Sequence, residues 1–396
     1  MGGTGNEYGM SIAIDTNGNV YVAGYNESGN FPTTADGYDT SFNGGQYDCF
    51  ISKLNGDLTQ LLASTYLGGV ADEVIMTMSL DSEGNVYVTG QTISYNFPTT
   101  DGAYDTSFSW NRDGFISQLD KDLTNLLAST YLGGNHNITK PYGLTLDAGG
   151  NVYVTGYTKG NEASDFPVTP DAYDTSYNGP INAMDADGGD VFVSKLNGAL
   201  TAMLASTYLG GSSYEKGISV ALDKSGNVYV AGSTTSSDFP VTDDAYDTSY
   251  NGEHYAYGYD GDVFVSKLSG DLKYLFASTY LGGAWNESGR AAILNQAETA
   301  GFSFWKLSLI LLGKSGKMVF QVEPKNVRIL ALNSVNESNT LLFLTCSFIT
   351  FHTLSIGFRL GLYGGKICIT NLGCGGGAFS VSNNSRAVNV STSKIE

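Results

Sequence analysis

Basic residues are scarce in this chain. Against 39 Asp and Glu it has 20 Lys and Arg, for a formal charge of −19 over 396 residues. A surface of that sign repels phosphate, which excludes a nucleic-acid binder driven by charge neutralisation. Cysteine is sparse too. Cys49, Cys346, Cys368 and Cys374 form no C-x-x-C pair and no Cys/His cluster at zinc spacing, so neither a disulfide scaffold nor a zinc site is indicated. Of the three histidines, His136, His254 and His352, none stands near a motif that would orient it as a base, and no G-x-S-x-G occurs. The strings Gly313-Lys314-Ser315-Gly316-Lys317 and Gly364-Gly365-Lys366 lack the spacing of a phosphate-binding loop. The opening residues MGGTGNEYGM have no basic and apolar regions of a signal peptide. No segment before residue 284 shows a capped 3.6-residue apolar period, so helices are not expected there.

What is present points to strands and turns. Glycine (51) and tyrosine (26) are abundant, proline (8) is not, and 41% of the residues are hydrophobic, enough for a folded core. The sequence repeats itself. Gly-Asn-Val-Tyr-Val begins at Gly18, Gly84, Gly150 and Gly226, at intervals of 66, 66 and 76. Ala-Ser-Thr-Tyr-Leu-Gly-Gly begins at Ala63, Ala128, Ala205 and Ala277, and between the two a third string starts at Asp48, Asp113, Asp190 and Asp262. Recurrence of several strings in one order is the mark of repeated supersecondary units.

Each unit reads as four strands, as in SIAID, NVYVAGY, FISKL and LLASTYL of the first. Each is rich in β-branched and aromatic residues at period two. The first two are joined by Asp15-Thr16-Asn17-Gly18, echoed at Asp81, Asp147 and Asp223, which is hairpin chemistry. An all-β chain of four-stranded antiparallel units with apolar side chains on both faces predicts β-propeller blades, over about 10–69, 75–134, 142–211 and 217–283. A solenoid would need a much shorter repeat.

These strings resemble the SBBP family of bacterial and archaeal repeats, named for a presumed seven-bladed β-propeller. The matching residues are GNVYVTG (Gly84 to Gly90), NFPTT (Asn96 to Thr100), GAYDTSF (Gly102 to Phe108), DVFVSKL and STYLGG. The resemblance covers residues 1 to 283. It implies a propeller belonging to a large secreted or cell-surface protein, and it carries no catalytic residues with it.

Composition changes at residue 284. Residues 1–283 hold 27 Asp and 25 Tyr, whereas 284–396 hold no Asp and one Tyr, and the charge turns from −24 to +5. A change this abrupt divides the chain into the repeats (1–283) and a divergent tail (284–396). Met1-Gly2-Gly3 aligns with Leu281-Gly282-Gly283, as though the chain began just after a missing fourth strand, and a fifth unit starts near Asn286 and dissolves. A truncated start with a frame break near residue 290 is one expectation; a genuine C-terminal domain is the other. Within the tail, Leu341 to Phe358 is 18 residues without formal charge, the shortest length that could span a membrane as a helix. Five Ser/Thr, His352 and the adjacent Arg359 weaken that reading, and no membrane contact is expected unless 341–358 is an anchor.

Function is less legible. The hairpin Asp residues and the Asp opening each third strand occur in every unit. Catalytic acids and bases must differ in environment, so repeated ones read as turn caps and strand-edge partners. Asp185, Asp187 and Asp190 concentrate carboxylates around a Gly turn and could hold calcium, although the EF-hand pattern fails; no other cofactor is indicated. Topology places the long segments between strands two and three on one face with the connections between units, and loops on a rigid scaffold are the usual place for recognition. Each long segment contains Tyr-Asp-Thr-Ser: Tyr38 and Asp39, Tyr104 and Asp105, Tyr173 and Asp174, Tyr246 and Asp247. An aromatic plane beside a carboxylate and hydroxyls suits a glycan or a polar protein ligand; the alternative is packing within the loop. The expectation is therefore a secreted or surface-displayed, non-catalytic scaffold that binds an extracellular glycan or protein and no nucleic acid. An enzyme acting on extracellular polysaccharide, and a purely structural surface-layer component, are the alternatives.

Overall fold

The computed structural model describes residues 2–283 apart from 110, 136, 161–164, 182–187 and 253–260, and beyond 283 the backbone of short strands between 289 and 392. The chain forms two compact units, 1–324 with 328–345, and 325–327 with 346–396. Of the span Leu341 to Phe358, residues 342–347 and 358 lie in strands and the rest fall outside the described residues. Among the described residues no helix is long and apolar enough to cross a membrane.

The repeats fold as the alternation of their side chains requires. In the first blade β1 (Glu7–Ile14), β2 (Val20–Asn26), β3 (Asp48–Leu54) and β4 (Leu61–Leu67) pair in sequence order as an antiparallel sheet. The second has β5 (Glu73–Leu80), β6 (Val86–Thr92), β7 (Asp113–Leu119) and β8 (Leu126–Leu132). The third has β9 (Ile138–Leu146), β10 (Val152–Lys159), β11 (Asp190–Leu196) and β12 (Met203–Leu209), and the fourth β13 (Glu215–Leu222), β14 (Val228–Thr234), β15 (Asp262–Leu268) and β16 (Leu275–Leu281). These are four blades of a β-propeller. First strands carry a bulge near their start, as between Gly9 and Ser11, and in β9 the irregularity accommodates Pro141, which has no N–H for the ladder.

Hairpin chemistry is as the sequence predicts. Asp15 Oδ1 accepts the backbone N–H groups of Asn17 (2.9 Å) and Asn19 (2.8 Å), and Gly18 takes φ +82°. Asp81, Asp147 and Asp223 do the same in their blades. The turns between third and fourth strands are less usual. They hold a leucine, not a glycine, in the left-handed region: Leu58, Leu123, Leu200 and Leu272, at φ 54–59°. That conformation costs an L-residue about 1–2 kcal/mol, so something must offset it.

For Leu123, Leu200 and Leu272 packing supplies the offset. Blades stack face to face, and the cores lie between them. Tyr21, Ala23 and Ile51 of the first blade share one buried cluster with Met78, Val88, Phe115 and Leu123 of the second. Leu200 and Leu272 are buried in the two following clusters. Within each blade a hydroxyl pair closes strands three and four, as in Ser52 Oγ to Ser64 Oγ at 2.8 Å, recurring at Ser117–Ser129, Ser194–Ser206 and Ser266–Ser278.

Candidate functional site

The long segments do not stand off as free loops. In the first blade Thr34 N–H donates to the Ser64 carbonyl (3.0 Å), Tyr66 N–H to the Asp39 carbonyl (2.8 Å), and Asp39 N–H to Thr65 Oγ1 (2.8 Å). The segment thus lies along the outer edge of β4, covering backbone groups that would otherwise invite another strand. It then crosses to the next blade. Tyr38 N–H donates to the Leu123 carbonyl, Tyr104 to Leu200 and Tyr173 to Leu272, each at 2.8 Å. The three tyrosines are half-buried against the inter-blade clusters, and burial first, then the neighbouring Asp, pushes each phenol pKa up. Tyr246 makes no such bond among the described residues and is 88% exposed.

The aspartates beside them close their own turns. Asp39, Asp105, Asp174 and Asp247 each accept, through Oδ1, the backbone N–H of the serine two residues on, at 2.8–2.9 Å. What these segments present to solvent is Thr40-Ser41 and its counterparts.

The Asp that opens each third strand is buried and accepts, through Oδ2, a backbone N–H from the end of the long segment, as Asp190 does from Asn178 (2.7 Å). In the first and third blades it meets a Glu from the next blade. A Cβ added to Gly68 would lie 2.7 Å from Glu73 Oε2 and 2.9 Å from Asp48 Oδ1, and one on Gly210 would lie 2.7 Å from Asp190 Oδ1 and 2.9 Å from Glu215 Oε2. Among the described residues, Oδ1 of Asp48 and of Asp190 has no hydrogen-bond partner. Burial drives these carboxyls upward, to about 7 for Asp48 and Glu215 and about 8 for Asp190, with the facing carboxylate adding to the shift at Asp48 and Asp190. In the second blade the Glu is Thr139, and there Ser109 Oγ hydrogen-bonds Asp113 Oδ1. In the first and third blades, burial and the facing carboxyl thus favour the protonated form of the Asp.

Of the proposed calcium ligands, Asp185 and Asp187 lie outside the described residues, as do His136, His254 and His352. Asp190 is turned inward toward Glu215. Among the described residues no group of three or more His, Cys, Asp or Glu is placed to hold a metal ion.

A different set departs from the repeat. Where β1 begins, β2 ends and β3 is about to start, Tyr8, Tyr25 and Tyr47 gather. Tyr8 and Tyr25 stack at 4.8 Å between ring centroids, and Tyr47 meets Tyr25 edge-on at 5.3 Å. Tyr8 is exposed and the other two are half-buried. Beside them Glu27 accepts from Asn6 Nδ2 at 2.8 Å and from Gln46 Nε2 at 3.4 Å, while Gln46 N–H donates to Asp72 Oδ1 at 2.5 Å. At the register positions of Tyr8 the other blades have Val74, Lys140 and Lys216; at those of Tyr25, Gln91, Tyr157 and Ser233; at those of Tyr47, Arg112, Gly189 and Gly261. Glu27 and Asp72 likewise have no carboxylate counterparts. The patch lies where one repeat departs from the pattern of the others.

Comparison with known proteins identifies the repeats. The SBBP beta-propeller repeat matches residues 2–32, 64–98, 129–162 and 206–240. No curated protein matches the chain. Similar solved structures include a quinohemoprotein alcohol dehydrogenase from Comamonas testosteroni, at 10% identity and a TM-score of 0.40 over 81% of this chain and 42% of that one. A GH43_12 retrieved from capybara gut metagenome matches at 10% identity and a TM-score of 0.31, over 92% of this chain and 75% of that one. YjhT matches at 12% identity and a TM-score of 0.34, over 98% of both chains. This chain spans less than half the length of the dehydrogenase.

Proposed function

We propose that this chain, which carries four SBBP beta-propeller repeats within residues 2–240, is a non-catalytic scaffold that binds a neutral extracellular glycan. The observation behind this is the Tyr8–Tyr25–Tyr47 cluster. Aromatic planes accept the apolar faces of sugars, while Glu27, Gln46 and Asn6 beside them offer acceptors and donors for hydroxyls. A net charge of −24 over residues 1–283 disfavours polyanionic glycans and favours neutral ones. The Tyr-Asp-Thr-Ser segments contribute Thr40 and Ser41 to a wider surface, but Tyr38, Tyr104 and Tyr173 are engaged between blades. A secreted or surface location rests on the resemblance to SBBP proteins.

Titration with neutral oligosaccharides tests the reading. Tyr8→Ala should weaken binding about tenfold, the loss of one exposed aromatic contact, with the fold retained by circular dichroism. Equal binding by wild type, Tyr8→Ala and Tyr47→Ala would sink it.

A second reading, an enzyme acting on extracellular polysaccharide, has one observation in its favour. Glu27, just after β2, and Asp72, just before β5 of the second blade, are carboxylates without counterparts in the other repeats, and both hold Gln46. Paired carboxylates are what glycoside hydrolysis uses. Release of reducing ends by wild type, abolished in Glu27→Gln and Asp72→Asn, would establish that reading in place of the first.

A further inference from the structure

Where the first blade meets the second, Asp48 at the start of β3 and Glu73 at the start of β5 are both fully buried. Three of their four carboxyl oxygens have donors. Glu73 Oε1 accepts from Thr92 Oγ1 at 2.6 Å, and Oε2 from the Gly69 N–H at 2.8 Å. Asp48 Oδ2 accepts the Asn43 N–H. Asp48 Oδ1, which flanks Gly68 together with Glu73 Oε2, has no donor among the described residues. Asp190 and Glu215 repeat this between the third and fourth blades. There Thr234 Oγ1 and the Gly211 N–H occupy the Glu oxygens at 2.7 and 3.1 Å, the Asn178 N–H occupies Asp190 Oδ2, and Oδ1 is left over.

The middle junction is built differently. Ser109 reaches both oxygens of Asp113, through its N–H at 2.7 Å and through its hydroxyl, and the facing residue is Thr139. Where a donor reaches Oδ1 the opposing carboxyl is absent, and where that carboxyl is present no described donor reaches Oδ1. Two ionised carboxyls are costly to bury side by side, whereas an acid beside a carboxylate is not.

We infer that Asp48 and Glu73 hold a single proton, carried on Asp48 Oδ1, and that this proton latches the second blade to the first. Glu73 stays the carboxylate, because both its oxygens already accept hydrogen bonds. The proton is taken from water as the blades close and returns to it as they part. The other titratable groups that bear on the pair are Asp39, Asp72, Cys49, Tyr66 and Tyr131, none of them basic. Lys53, on the strand that Asp48 opens, is held at the far end by Asp15 and Asp122. Burial, opposed by the Asn43 hydrogen bond and aided by Glu73, pushes Asp48 up to about 7. A value raised in the folded chain means that the latch is complete below the ordinary 3.8 and is lost as pH rises through about 7. Asp113 is pushed by burial to about 6, so the middle junction has released its proton before neutrality.

Hydrogen exchange of the full chain from neutral to mildly basic pH, corrected for intrinsic base catalysis, reads the latch at single amides. The Tyr38 N–H crosses the first junction to the Leu123 carbonyl, and the Tyr104 N–H crosses the middle one to Leu200. Protection at Tyr38 should fall with pH, by at most about tenfold per unit for one proton, while Tyr104 changes less. Asp48→Asn, with Glu73→Gln as a second variant, should make Tyr38 as insensitive as Tyr104 and leave Tyr104 as in wild type. Equal pH dependence at both amides overturns the inference, and so does a Tyr38 dependence that persists in both variants. Calcium or sodium that restores Tyr38 protection at mildly basic pH overturns it too, since a cation would then hold the two carboxyls together.

Discussion

Tyr38 donates its backbone N–H to the carbonyl of Leu123, 2.8 Å away and one blade on. The donor sits in a long connecting segment and the acceptor in a strained turn of the next blade, so the bond ties one blade to the other. The leucine side chain enters the inter-blade core while its carbonyl takes the tyrosine N–H, and together these offset the left-handed backbone. The relation recurs at Tyr104–Leu200 and Tyr173–Leu272.

Truncating that leucine should depend on which blade it belongs to. Leu200→Ala empties a buried position and should cost about 2–5 kcal/mol. Leu58→Ala removes an exposed side chain and should cost less than about 0.5 kcal/mol in dilute protein. Urea denaturation of the two variants checks this; equal losses would show that the turn, and not the interface, sets the cost.

The buried hydroxyl pairs should behave as pairs. Ser194→Ala leaves Ser206 Oγ without its partner and should cost about 1–2 kcal/mol, and Ser206→Ala similarly. The double variant should cost less than the two together, with a coupling of about 1 kcal/mol. A strictly additive double variant would mean that other groups satisfy each hydroxyl.

Gly210 is flanked by two carboxyls within 3 Å of where a Cβ would stand: Asp190 Oδ1 at 2.7 Å and Glu215 Oε2 at 2.9 Å. Gly210→Ala should therefore destabilise by about 1–3 kcal/mol through overpacking. Gly226→Ala meets no neighbour, so only its φ of +79° penalises it, by about 1–2 kcal/mol. The two should separate by pH, because only the first perturbs the carboxyl pair; parallel stability curves would contradict this.

Asp190 takes up its proton at about 8 in the folded chain, against an ordinary 3.8, because it is buried and faces Glu215. Between those values the folded chain binds more protons than the unfolded one, so this contribution to stability is complete below pH 3.8 and is lost as pH rises through about 8. Asp147 and Asp223 are shifted the other way; their carboxylates accept hydrogen bonds and face Lys195 and Lys267, so they act only in acid. Asp190→Asn should flatten the fall in melting temperature with rising pH from mild acid to mild base. A wild-type curve that rises across that window would refute the assignment.

Much of the fold could be read without coordinates. The repeated strings marked sixteen strands in four blades, and the Asp-x-x-Gly hairpins close as their chemistry requires. Asp15 was legible as a turn cap because both its partners lie within four residues. The pairing of Tyr38 with Leu123 was not, because the two are distant in the chain and nothing in Tyr-Asp-Thr-Ser announces its acceptor. The aromatic patch was missed for a related reason: Tyr8, Tyr25 and Tyr47 belong to three separate strand ends and meet only when the sheet forms.

The sequence alone determined the strands, their order and their turns, since alternation and hairpin chemistry act over a few residues. Tertiary structure alone decided which tyrosines serve the contacts between blades and which carboxyls face one another. Those outcomes depend on burial and on neighbours brought from a whole repeat away, and local pattern carries no record of either.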